Sequence, residues 1–428
     1  MIFHKTLVNI RKKYGPCRAK LAQALGCTED YIAALEENKE QATFDFVIKI
    51  KDAFNLHTAP IFESERNTLM DNLYNWKRAI DHADLDVAAK LKPELEESAR
   101  LSFSPSTEIF YDLFAADYYY HVGDDAAYNE TMAALSNRMD EFGLRHRYQY
   151  QRLLGAKAFV EKRYQDAIKA YKAAERLDPS GSWHDVRFYF GLGMSLSDRG
   201  YATRAIDYLE RAKHITKYDK TYNGKSNRRF DVYIDGYLSS DLSKVGRSEE
   251  ALRILETRLA IEKKKNSRVG IGYTYFCYGN MHQRTKKHES AIESYDNALK
   301  CLNTDESGHV ESIYQKAVSL NAINRMAEAI DCVDKGLSTT KDEHWIMFFD
   351  ALKHYILMND DINSVDYLEK TLIPKLQESG QSEAVGYYYQ KLSYFYNEQK
   401  NDEIAFKYSN LALETYNKLH KECIERDM

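Results

Sequence analysis

From Tyr164 to Pro179 the chain reads YQDAIKAYKAAERLDP. Ala167, Tyr171 and Ala174 fall on one face of a helix, and Pro179 ends it. Small, aromatic, small on one face means that another helix crosses close over the alanines while the ring fills a neighbouring groove. A partner helix lies upstream, with Leu154-Gly155 twelve residues before Ala167. The unit recurs at Ala205, Leu209 and Ala212, with Leu192-Gly193 upstream, and again at Ala251 and Leu255. It returns at Ala291, Tyr295 and Ala298, with Tyr278-Gly279 upstream, then at Ala329 and Val333, Ser364 and Leu368, and Ala405 and Ala412. The first small residues are 38, 46, 40, 38, 35 and 41 positions apart. One such hairpin cannot bury its apolar face alone. Seven in order must stack on one another, and this constrains the fold more than any other feature of the chain.

The pattern is the tetratricopeptide signature, with helices or turns longer than the minimal repeat of about 34 residues. Composition agrees: 428 residues contain six prolines and 19 glycines, which suits long helices and short turns. Residues 1–58 read differently, as a compact helical unit. Leu7 and Ile10 mark one short helix, and Leu21, Ala22 and Leu25 a second, with Gly15-Pro16 between them. Gly26 stands where a tight turn needs a positive φ. Thr28 caps a third helix whose first acids, Glu29 and Asp30, suit its dipole, and Ile32 and Leu35 face inward. Phe44, Val47, Ile48, Ile50 and Phe54 mark a fourth helix. The expected fold class is all-α, a helix-turn-helix domain followed by a right-handed tetratricopeptide-repeat superhelix. The expected divisions are 1–60 for the head, 61–145 for a linker with two degenerate hairpins, and 146–428 for the repeats.

No P-loop, dinucleotide fingerprint, HExxH or GxSxG occurs, so no catalytic residue is assigned. The GLG at 191–193 falls at a packing glycine. The six cysteines form no CxxC pair and the 13 histidines are scattered, so neither a metal nor a cofactor is expected. No apolar run approaches the ~20 residues that span a bilayer, and MIFHKTLVNIRKK lacks the apolar stretch of a signal peptide, so the chain is expected in the cytoplasm. The net charge of −5 supplies no global field toward nucleic acid.

Leu21-Ala22, Leu25-Gly26, Thr28, Ile32, Leu35-Glu36 and Asn38 resemble the lambda-repressor-like helix-turn-helix family. Head and repeats together resemble the Gram-positive peptide-pheromone receptors, the Rap, NprR, PlcR and PrgX group. The resemblance implies a transcription regulator of quorum sensing, bound to a short signalling peptide and to double-stranded DNA as a homodimer. It also leaves open a Rap-like role, in which the array binds a response-regulator protein and the head does not use DNA. In the head family, bases are read from positions that here hold Glu29, Asp30 and Ala34, with Tyr31 among them. Carboxylates there accept from cytosine but repel phosphate. Affinity is therefore expected from basic flanks: Arg11, Lys12, Lys13, Arg18 and Lys20, with Lys39 beyond the third helix. Residues 1–58 hold nine Lys/Arg against seven Asp/Glu, a balance of +2 that permits DNA binding without demanding it. The rival reading of the acidic tip is a head used for dimerisation or docking.

In such arrays the first helix of each hairpin lines the hollow side. Counting from the packing small residue places Tyr233, Tyr273, Phe276, Asn280, Gln283, Tyr314, Asn321, Phe349, Lys353, Tyr387, Gln390 and Asn397 there. Amides suit a peptide backbone and aromatics bury its side chains. Arg228, in the longest repeat step, is a candidate partner for a peptide carboxylate.

Overall fold

The computed structural model describes residues 3–14, 17–54, 56, 60, 63–102, 104–218, 228–306, 308–358, 362–378 and 382–424. The side chains of residues 3–5, 13, 14, 63, 228, 229, 362, 383 and 419–424 lie outside that description. All regular structure among the described residues is helical. The chain divides into two compact units, Met1–Asp241 and Leu242–Met428.

The first unit opens with α1 (Phe3–Tyr14), α2 (Arg18–Leu25), α3 (Glu29–Glu36) and α4 (Phe44–Ala53). Leu7, Ile10, Leu21, Leu25, Ile32, Leu35, Val47 and Ile50 close into one core. Gly26 takes φ 66° at the end of α2, a left-handed turn that only glycine adopts freely. Thr28 caps α3 by accepting a hydrogen bond from the Tyr31 N–H at 3.2 Å. The helix-turn-helix geometry thus follows from two residues, one at each side of the turn.

Two hairpins come next: α5 (Glu63–Asp81) with α6 (Leu85–Arg100), and α7 (Pro105–Val122) with α8 (Asp125–Ser136). They bury Leu73, Trp76, Ile80, Ala88, Leu113 and Phe114 in one cluster that also takes in Leu153 of the following helix. Trp76 donates its Nε1–H to the Ala88 carbonyl at 2.9 Å, so a fully buried indole is still satisfied. The unit continues with α9 (Leu144–Val160), α10 (Tyr164–Leu177), α11 (Val186–Asp198) and α12 (Ala202–Tyr218), and α13 spans Arg228–Lys244.

The second unit holds α14 (Ser248–Lys264), α15 (Arg268–Arg284), α16 (His288–Cys301), α17 (His309–Ala322), α18 (Met326–Thr339) and α19 (Glu343–Leu357). The sixth second helix is broken into α20 (Ile362–Tyr367), a π-helical turn over Leu368–Leu372, and α21 (Ile373–Glu378). Pro374 accounts for the break, since it has no N–H to return to the residue-370 carbonyl and its ring crowds that turn. The last hairpin is α22 (Ser382–Glu398) with α23 (Asp402–Ile424).

All seven repeat-marking small residues are buried: Ala167, Ala205, Ala251, Ala291, Ala329, Ser364 and Ala405. The glycines of the first helices receive the rings. A Cβ on Gly155 would come 2.9 Å from the Tyr171 ring, and the far end of the same ring occupies the space beside Gly191 in the next hairpin. Tyr171 therefore ties two successive repeats, and the GLG at 191–193 is a packing feature. Tyr295 fills the equivalent space over Gly279. Hairpin turns repeat one device, a left-handed residue at Lys162, Gly200, Gly246, Lys286, Asn324 and Lys400. The next N–H then returns to the last helical turn, as in Arg163 N to Ala158 O at 2.9 Å and Lys287 N to His282 O at 2.8 Å.

Candidate functional site

In the head, α3 presents Glu29 and Asp30 to solvent. Tyr31 and Ala34 are half-buried, and the Tyr31 ring stands edge-on to Phe46 at 5.2 Å. At the far end of α3 the Glu36 carboxylate is only 2% exposed. Arg11 of α1 reaches it with Nε at 2.5 Å and Nη2 at 3.2 Å, and Arg18 of α2 with Nε at 2.7 Å. Burial pushes the Glu36 pKa up, but the two guanidiniums outweigh it and hold the group below its ordinary value. The same hydrogen bond raises the pKa of Arg11. One carboxylate thus fastens three helices together.

This clasp commits Arg11 to the interior of the head. Arg18 gives its Nε to Glu36, while its Nη groups make no hydrogen bond among the described residues, and its side chain is 37% exposed. Lys12 and Lys20 are exposed. Lys39 pairs with Glu37 at 2.6 Å on the open surface, where such a pair contributes little. The Lys13 side chain lies outside the described residues.

In the second unit the first helices α15, α17 and α19 pack in succession. Asn280 is half-buried, and its Oδ1 accepts from the Tyr295 hydroxyl at 2.8 Å. Its amide nitrogen makes no hydrogen bond among the described residues. Gln283 bridges repeats, donating to the Gln315 carbonyl at 3.1 Å and Ser319 Oγ at 3.0 Å. Asn321 is half-buried, Gln390 is exposed, and Tyr387 is 40% exposed. Lys353 Nζ is held by Asp334 at 2.6 Å. Tyr314 packs among Trp345, Phe348 and Phe349, and burial raises its pKa to about 12. Tyr273, Phe276 and Phe349 are buried in the packing between hairpins. Phe349 occupies the space over Gly336, and Tyr273 and Phe276 lie beside Gly308. In the first unit Tyr233 is half-buried on α13, and the Arg228 side chain lies outside the described residues.

No family model matches the chain. A transcriptional activator, NprA of Geobacillus stearothermophilus, is 18% identical over 395 residues, which cover 89% of this chain and 95% of that protein. The solved structure of a Rap protein complexed with competence and sporulation factor superposes with a TM-score of 0.69 at 15% identity, covering 83% of this chain and 99% of that one. NprR in complex with its cognate peptide NprX gives a TM-score of 0.64 at 18% identity, covering 82% and 98%. The chain has the fold of NprR and the Rap proteins. The resemblance read from the head and repeats is borne out by these comparisons.

Within this NprR-like and Rap-like fold, one cluster of charged residues escaped the sequence reading. Asp117 of α7, with a side chain 2% exposed, holds Arg152 of α9 at 2.5 Å and Lys77 of α5 at 3.1 Å. Lys77 also pairs with Asp81 on its own helix. Arg187 of α11 donates to the Ile80 carbonyl at 3.0 Å and to the Asp81 carbonyl, and it contacts His121 Nε2. Three cations thus face two carboxylates across four first helices. Burial, reinforced by Arg187 and Lys77, lowers the His121 pKa to about 4 despite Asp117 nearby. The Asp117 pKa is lowered too, here favouring the charged form: burial opposes its charge, but Arg152 and Lys77 hold it well below its ordinary value. The helix that carries Lys77 and Asp81 also touches the head at its other end. Lys51 meets Glu65 at 2.8 Å, and Arg66 Nη1 donates to Thr6 Oγ1 at 3.0 Å. Among the described residues no cluster suits a metal, and no helix is long and apolar enough to cross a membrane.

Proposed function

We propose that this chain is a peptide-responsive transcription regulator. A short signalling peptide lies on the first helices of the repeats and changes how the head, residues 1–60, engages double-stranded DNA. Residues 61–145 link head to array, and 146–428 hold the peptide. The observation that carries this reading is the match along 95% of the length of a transcriptional activator, together with a head whose turn and cap are those of a helix-turn-helix. A solved relative of the same fold is complexed with its cognate peptide, and the half-buried amides Asn280 and Asn321 and the exposed Tyr387 and Gln390 suit such a guest here.

Lys12, Lys20, Lys39 and the outer nitrogens of Arg18 supply phosphate contacts, while Glu29 and Asp30 select among bases. A single head covers one half-site, so the active form is a homodimer acting in the cytoplasm. The repeats need two packings whose balance the peptide shifts, by the ~1–3 kcal/mol typical of such linkage.

A second reading has its own support. Arg11 is spent on Glu36 and the tip of α3 is acidic, which favours a Rap-like protein that docks a response regulator without using DNA. Gel shift of the full chain on genomic fragments at low salt separates the two. Retardation supports the first reading, and its absence in both the peptide-free and peptide-bound forms leaves the second.

A further inference from the structure

The last hairpin carries a cation arranged unlike the others. Along the first helices of the second unit, basic side chains are matched by acids: Arg268 by Glu306 at 2.7 Å, Lys316 by Asp296 at 2.6 Å, and Lys353 by Asp334 at 2.6 Å. Lys391 of α22 has no ion pair or hydrogen bond among the described residues. Its ammonium lies instead over two tyrosine rings, 5.3 Å from the Tyr355 centroid and 5.0 Å from that of Tyr387. Those rings meet at 6.3 Å and 66°, so they form two walls of a corner. The Tyr387 ring also meets that of Tyr388 at 5.3 Å, so the corner sits within a group of tyrosines. Tyr387, Gln390, Lys391 and Tyr394 fall at helical spacing, and Tyr394 is 56% exposed.

We infer that Lys391, walled by Tyr355 and Tyr387, anchors a carboxylate of the bound peptide. The inference rests on the peptide-receptor reading above and names the chemistry at one end of that site. A half-buried ammonium held between ring faces is partly desolvated and fixed in direction. Both effects strengthen its pairing with an incoming anion relative to a lysine in bulk water. With no ion-pair partner among the described residues and two tyrosine rings as walls, the corner offers positive charge to one ligand class. Tyr387 and Tyr394 then flank the peptide residue that carries the carboxylate. The carboxylate comes either from the peptide C-terminus or from an Asp or Glu side chain.

The test uses the full chain, immobilised, and three random heptapeptide pools. The first has a free C-terminal carboxylate and lacks Asp and Glu. The second is amidated and contains Asp and Glu. The third is amidated and lacks them. Wild type retains at least one of the first two pools about tenfold better than the third, the scale of one charge-assisted contact. Preference for the first assigns the C-terminus, and preference for the second assigns a side chain. Lys391→Met keeps an apolar stem between the rings and loses the preference, while Lys391→Arg retains it. Circular dichroism of both variants checks that the fold is intact. Equal retention of the three pools, or an unchanged preference in folded Lys391→Met, overturns the anchor and leaves the receptor reading standing. No retention of any pool by wild type removes the receptor reading and the anchor with it.

Discussion

Replacing Asp117 by Asn tests whether the buried charges of the first unit act as a single fastening. The substitution preserves shape and removes one of two carboxylates that face Lys77, Arg152 and Arg187. The excess of positive charge rises from one to two. Lys77 and Arg152, 8% and 4% exposed, are then left with Asp81 as the only carboxylate of the cluster. Removing one partner from a buried ion pair typically costs about 3–5 kcal/mol, since the remaining charge stays desolvated. For a unit of this size each kcal/mol is worth about 2–4 °C, so melting falls on the order of 10 °C. Trp76 is a suitable reporter, because it is fully buried and stacks on Tyr111 at 5.4 Å. Changing the other two tryptophans, Trp183 and Trp345, to Phe isolates its signal. Combined with Asp117→Asn, the change Arg152→Met relieves part of the loss, whereas in wild type it is destabilising. A loss under about 1 kcal/mol, or strictly additive effects, refutes the view that these groups are coupled.

Acid weakens the same region. The unfolded chain takes up a proton on His121 near pH 6.5 that the folded cluster refuses until about pH 4. Stability is therefore lost as pH falls through that window, by up to about 1.4 kcal/mol per pH unit, and His121→Gln flattens the slope in thermal melts. Glu36→Ala leaves Arg11 and Arg18 without their carboxylate and loosens the head by about 2–3 kcal/mol, read as faster amide exchange in α1 to α3. Lowered amide protection confined to the head is the expected pattern, and unchanged protection contradicts the clasp. Gly279→Ala drives a methyl into the Tyr295 ring and destabilises the second unit by about 1–3 kcal/mol, checked by urea titration of Trp345 fluorescence.

The repeats were legible because their signal is local. Small–aromatic–small spacing maps directly onto the buried alanines and the rings over Gly155 and Gly279. The head was legible for the same reason, since Gly26 and Thr28 act within a few residues of themselves. Pairing over distance was not legible. Arg11 and Arg18 read as free cations, yet they meet Glu36 across 25 and 18 residues. Arg187 grips carbonyls more than 100 residues away, and neither end carries a local sign of it. Helical spacing also marked Phe276 and Tyr387 alike as inward positions. Packing then buried the first between hairpins and left the second at the surface, a choice made by neighbouring helices. The π-helical turn before Pro374 went unread because Ser364 and Leu368 keep the repeat pattern up to its start.

The central claim is that a peptide on the repeats governs what the head binds. Fluorescence anisotropy of the full chain on genomic fragments, at low salt, with and without a heptapeptide recovered from the pools, measures that coupling directly. The account predicts saturable binding to a fragment holding paired half-sites, with an affinity that changes at least about fivefold when the peptide is present. Binding that is identical with and without the peptide, or no binding in either state, contradicts it.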